Sequence, residues 1–146
     1  MLNYLLIAHL LAATIWTGGH LILAIGVLPK VLISRHIETL IAFESQFEKV
    51  GMPALAIQVV TGLWMAHRML PDVHSWFTLN NDISMLISLK LAILLTTIIV
   101  ALHARFRVIP TLQDSSLNWF AAHIFTVTAL SVGFVIVGSL FRTGLG

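Results

Sequence analysis

Four stretches of this chain are apolar for long enough to cross a ~30 Å hydrocarbon core, and little sequence is left over between them. They run Tyr4–Leu28, Pro53–Leu70, Ile83–Ala104 and Leu117–Phe141. Lipid offers no partner to a backbone N–H or C=O, so each run has to satisfy its own as a helix. The expected fold class is an all-α membrane protein, a four-transmembrane-helix antiparallel bundle, with residues 1–146 as a single domain. Only 10% of the residues are charged, far below the roughly 25% of soluble domains. The first run is too long for a signal peptide and lacks a small-x-small cleavage site, so it reads as a retained helix.

Four crossings return both termini to one face of the membrane, side A. Side B then holds Lys30, Arg35, Lys49, Arg105 and Arg107, against Arg68 and Arg142 on side A. The positive-inside rule makes side B cytoplasmic and both termini periplasmic. The absence of a long targeting segment suits a bacterial inner membrane. Within the Lys30–Gly51 loop, Ile33, Ile37, Leu40, Ile41 and Phe47 recur near helical spacing among charges, as in an amphipathic helix lying at the interface. Pro53 fits the first turn of the second helix, and Asn80-Asn81-Asp82 signals the start of the third. Tyr4, Trp76 and Trp119 fall where interfacial aromatic anchors belong.

The chain's chemistry lies in its histidines. There are seven, and five of them (His9, His20, His67, His103 and His123) fall inside or at the edge of the apolar runs, where an ionisable side chain is a functional-site hypothesis by default. His9 and His20, eleven residues apart, share one helix face about 16 Å apart along the axis, and Trp16 shares it too. Antiparallel threading places His67 near the depth of His9, and His103 and His123 near that of His20. Two clusters are allowed, His9 with His67, and His20 with His103 or His123. His36 and His74 read as loop residues. Lys90 lies ~10 Å inside the third helix, with no Asp or Glu in the four runs to pair with it. It either snorkels toward side A or meets a bound anion. Gly19, beside His20, allows close approach of a helix or of a flat cofactor. The net charge of +2 is too small and scattered for nucleic acid. With no cysteine, thiolate metal sites and CxxC redox pairs are excluded.

Facing neutral imidazoles with apolar walls suit b-type haem, one or two per chain. Copper is the alternative, since imidazole suits it although the softer Cys and clustered Met ligands are missing. A third reading is an accessory or assembly subunit without cofactor. The run His9-x6-Trp16-x-x-Gly19, followed by Leu28-Pro29-Lys30, resembles the opening of the CopD-like membrane proteins and the related HemJ-type protoporphyrinogen oxidases. Pro53-Ala54-Leu55 leading to Gly62-Leu63, and Leu89-Lys90-Leu91 followed by His103, resemble later parts of that pattern. The resemblance implies a small four-helix membrane protein. For the CopD branch it implies copper handling. For the HemJ branch it implies b-type haem and porphyrinogen oxidation, with His9 and Lys90 at the matching positions. Val27-Leu28-Pro29-Lys30 and Leu117-Asn118-Trp119-Phe120 depart from the HemJ pattern, which favours a distinct CopD-like member.

The expectation is therefore a haem-binding membrane redox protein that moves electrons within the bilayer, with a quinone or porphyrinogen as small-molecule partner. If it is an enzyme, it is a haem-dependent oxidoreductase. His9 and His67 would ligate one haem, His20 with His123 or His103 a second, and Lys90 would neutralise a propionate. The copper alternative uses His20, His103 and His123. Lipid surrounds the bundle, and a homo-oligomer is compatible with it.

Overall fold

The computed structural model describes residues 2–145 and contains four long apolar helices, with no strand among the described residues. The first crossing is α1 (Leu2–Leu21), a π-helical segment Ile22–Val27 and α2 (Leu28–Ser34), in one continuous run. Next come α3 (Ile37–Met69), a 3₁₀ turn Val73–Phe77, and α4 (Asp82–His103). The chain closes with a second π segment Ala104–Val108, short 3₁₀ turns, and α5 (Leu117–Thr143). The all-α four-helix membrane fold expected from the apolar runs is what forms.

The first loop differs from expectation. The stretch read as a separate interfacial helix is the N-terminal half of α3, which passes straight through Pro53. Proline removes one i→i−4 bond but does not stop a helix whose neighbours hold it. Only Arg35 and His36 separate α2 from α3. Arg35 takes the left-handed conformation (φ 60°) that ends a helix, and its N–H reaches Val31 O at 2.8 Å. The four helical runs are 30–33 residues long, about 45–50 Å, well beyond the hydrocarbon core. The charged ends on side B account for the excess. There Leu28, Val31, Leu40, Val108, Leu117 and Phe120 form a buried core, rimmed by the Arg105–Glu48 ion pair and an Arg35–Asp114 contact at 3.7 Å.

Both π segments have one cause. Leu28 N–H reaches back five residues to Leu23 O, and Ile109 N–H reaches back five to Ala104 O. Each donor stands just before a proline, Pro29 or Pro110. The proline ring cannot accommodate the carbonyl four residues earlier, and the turn widens to clear it. At the other end, α4 opens with a capping box. Asn81 Oδ1 accepts Ser84 N–H at 2.9 Å, and Ser84 Oγ accepts Asn81 N–H at 3.4 Å. Trp76 is not the lipid-facing anchor that its position suggested. It is buried, and its Nε1–H donates to Leu70 O at 2.7 Å, while Tyr4 and Trp119 are exposed.

Candidate functional site

The hydrogen bonds of four histidines fix their tautomers, two because Nδ1 faces a backbone carbonyl and two because the partner's own proton is already placed. His20 Nδ1–H donates to Trp16 O at 2.8 Å, one turn back along α1. His123 Nδ1–H donates to Trp119 O at 2.9 Å, one turn back along α5. His123 Nε2 therefore carries a lone pair, and His103 Nδ1–H donates to it at 2.8 Å. At His9 the Thr61 hydroxyl spends its single proton on Ile57 O at 2.6 Å, so Thr61 Oγ1 accepts from His9 Nδ1–H at 2.9 Å. These protons are assigned from the bonding partners. His9, His20 and His103 all present an Nε2 lone pair while Nδ1 is anchored, the arrangement that orients metal-binding imidazoles.

Two of these histidines belong to the same unit, Trp-x3-His, at Trp16–His20 and Trp119–His123. In each, imidazole and indole centroids are close, 4.5 Å apart in the first and 4.8 Å in the second. The repeated spacing was visible in the sequence, and reading the histidines without their i−4 neighbours missed it. The second unit is joined by His103 from the last turn of α4, whose ring stacks on His123 at 5.0 Å between centroids. His123 is buried and His103 exposed. A groove of about 210 Å³ runs beside them, lined by Val100, Trp119, Ala122, His123 and Thr126.

The other expected groupings do not assemble. His9 pairs with Thr61, whereas His67 is an exposed residue in the last turn of α3. Gly62 makes room for His9, since a Cβ there would meet His9 Cε1 at 3.1 Å. His20 is enclosed by Trp16 and by Phe47, whose ring meets it edge-on at 5.1 Å. The space that Gly19 opens is filled by that same Phe47, so no flat cofactor approaches there. Lys90 lies among aromatic rings, its Nζ 5.8 Å from the Phe141 centroid and 6.0 Å from that of Phe134. The ion pairs among the described residues leave it without a carboxylate. No group of three or more histidines, aspartates or glutamates that could hold a metal ion occurs among the described residues. His20 therefore does not complete a three-histidine set with His103 and His123.

The haem expectation finds no support in this geometry. Two imidazoles on opposite sides of one metal at the usual ~2.0 Å bond length stand about 4 Å apart, nitrogen to nitrogen. His103 and His123 are in direct hydrogen-bond contact instead, and His9 and His20 face protein groups. Comparison with known families agrees. Residues 41–141 match the family model for copper resistance protein D, CopD. The chain belongs to the CopD family. The match covers α3, α4 and nearly all of α5, and so includes Thr61, Lys90 and the His103–His123 pair. No curated protein and no solved structure matches the chain. Family membership, with four apolar helices, makes it a multi-pass membrane protein of the copper-resistance type. Haem, iron and redox chemistry gain nothing from the comparison, and neither does the HemJ relation. Within this CopD-family chain, the partners of the histidines that the sequence reading left out are Thr61, Phe47 and the two tryptophan carbonyls.

Proposed function

We propose that this CopD-family chain handles copper in the membrane, taking the ion as cargo at the side-B end of the bundle. The observation that carries the reading is the chain Trp119 O, His123, His103. It holds two imidazoles in fixed tautomers and leaves His103 Nε2 exposed with a free lone pair. Imidazole suits copper, and the anchored Nδ1 of the outer histidine supplies the orientation that a ligand needs. His103 Nε2 is the first contact. A cargo ion needs a second donor, and His123 Nε2 becomes one when the bond from His103 is given up. The ligating pair is then His103 Nε2 and His123 Nε2, and the His103 ring must turn so that its Nδ1–H leaves the 2.8 Å bond to His123 Nε2. That rotation takes place at a site bordered by a groove.

On this reading side B faces the cytoplasm of a bacterial inner membrane and both termini are periplasmic. The excess of Lys and Arg at the side-B ends supports this. The test is copper(I) binding by the detergent-purified protein, in competition with a chromophoric chelator. His103→Ala and His123→Ala should each lose the site, and His67→Ala should keep it. Equal binding by all three variants and the parent would refute the assignment, and an optical spectrum with a Soret band would restore haem.

A further inference from the structure

Trp16 is the most deeply enclosed polar group of the spanning helices that lacks a partner. It is 3% exposed, and its indole N–H is the single buried side-chain donor or acceptor among the described residues that meets no protein partner. The other three tryptophans escape this condition. Trp76 donates to Leu70 O at 2.7 Å, while Trp64 and Trp119 are 52% and 59% exposed. A buried donor left unbonded forfeits its whole cost of desolvation, so such groups nearly always have a partner, from protein or from water.

Two hydroxyls and an imidazole stand at helical spacing from the residues of the Trp16 cluster. Trp16 packs with Val127, Leu94 and Val100. Thr97, fully buried, lies on α4 between Leu94 and Val100 at helical spacing, and Ser131, equally buried, lies one turn beyond Val127 on α5. Both hydroxyls give their single proton to the carbonyl four residues back, Ile93 O and Val127 O, each leaving a lone pair open. One turn along α1, His20 Nε2 carries a lone pair as well. Leucine, valine and phenylalanine offer nothing to the Trp16 N–H, but a water molecule can accept from it and donate into these lone pairs. Two to four polar partners are what a buried water requires.

We infer that this layer, midway along the bundle, is a buried water site in which water accepts the Trp16 Nε1–H. Val100 bounds it, because the same side chain packs on the Trp16 cluster and lines the groove beside His123. One valine thus separates a wet layer next to His20 from the groove next to the histidine pair. The inference stands apart from the copper reading, since it concerns hydration and needs no metal.

The test is a water-to-indole cross-peak in the nitrogen-edited spectrum of metal-free, ¹⁵N-tryptophan-labelled protein in detergent micelles. The Trp16 indole should show a persistent cross-peak to water and the downfield shift of a bonded N–H. Trp76, bonded to a carbonyl, is the internal reference for a water-free hydrogen bond. Trp16→Phe, which keeps an aromatic ring and removes the donor, assigns the resonance by its loss. If that variant does not fold, replacing Trp64, Trp76 and Trp119 one at a time assigns it by elimination. An upfield, non-bonded indole shift without a water cross-peak would overturn the inference.

Discussion

Replacing Gly19 by alanine should destabilise this bundle, and the same change should turn favourable once Phe47 is gone. A Cβ at Gly19 would sit 1.9 Å from Phe47 Cε2 and 2.4 Å from Cζ, where ordinary van der Waals contact begins near 3.4 Å. The ring must therefore retreat by about 1.5 Å, the difference between those two distances. Backing toward α3 brings the ring onto Gly51 of its own helix, where it is already close enough that an added Cβ would stand 2.9 Å from Cζ. It cannot move sideways without leaving Trp16, at 6.2 Å between centroids, or His20, at 5.1 Å. Overpacking of this kind costs about 1–3 kcal/mol, while Ala over Gly within a helix returns ~0.8–1 kcal/mol. The net loss is then about 1 kcal/mol, within limits of about 0–2 kcal/mol. In a Phe47→Ala background the clash is absent and only the helix-propensity gain remains, so Gly19→Ala should stabilise by roughly 0.5–1 kcal/mol. The coupling between the sites is about 2 kcal/mol, inside the range for residues in direct contact. Reversible unfolding by SDS titration in mixed micelles, followed by tryptophan fluorescence, measures all four corners of the cycle. Equal effects of Gly19→Ala in both backgrounds would refute the claim that Phe47 fills the Gly19 gap, and would reopen that gap to a ligand.

Two further outcomes are expected. Thr61→Val removes the acceptor of His9 Nδ1–H, and a lost hydrogen bond of this type costs ~0.5–1.5 kcal/mol. Nitrogen shifts of labelled imidazole should show the His9 tautomer becoming mixed, and an unchanged single tautomer would count against the bond. In the turn before α4, Asp72 accepts Ser75 Oγ–H at 2.7 Å and His74 N–H at 3.1 Å. The Ser75 hydroxyl first, then the His74 N–H, hold its carboxyl below the ordinary value of 3.8. A depressed pKa stabilises the folded turn above the unfolded value and ceases to do so as pH falls through the folded one. The near-ultraviolet signal of Trp76 should thus persist down to and below pH 3.8 before the turn loosens, and Asp72→Asn should remove that acid transition.

The four crossings were legible because lipid leaves the backbone one solution per segment, and apolar run length reports it directly. The bounds of α4 and α5 follow from the Asn81 cap and from the apolar runs. The side-B extensions were not legible. Leu40, Phe43 and Phe47 read equally well as an interfacial stripe or as a core face, and only the presence of a facing α1 decides between them. Pro53 misled for a related reason, since a proline marks a helix start or a tolerated interior position according to what packs around it. Threading brought His103 level with His123, but it misplaced His9 and His20, which meet Thr61 and Thr128 instead of other histidines. His9 meets Thr61, six residues or about 9 Å short of His67 along α3, and His67 is exposed.

What the bundle does with its imidazoles depends on carbonyls that no side-chain inventory contains. His20 and His123 sit four residues after a tryptophan, so each bonds to a carbonyl of its own helix and turns its Nε2 away from it. On α1 the imidazole packs edge-on against Phe47. On α5 the same unit meets His103 from α4 and opens on a groove. The same Trp-x3-His spacing therefore meets an aromatic ring on α1 and a second imidazole on α5, and the difference lies in which neighbour arrives. Directly after His103 comes the π turn ahead of Pro110, with Ile109 N–H bonding to Ala104 O. Pro110→Ala removes the steric reason for that π turn. The segment should tighten to α geometry, rotate His103 relative to α5, and abolish copper(I) binding although both histidines remain. Retention of full binding by this variant would show that the π turn does not position the pair.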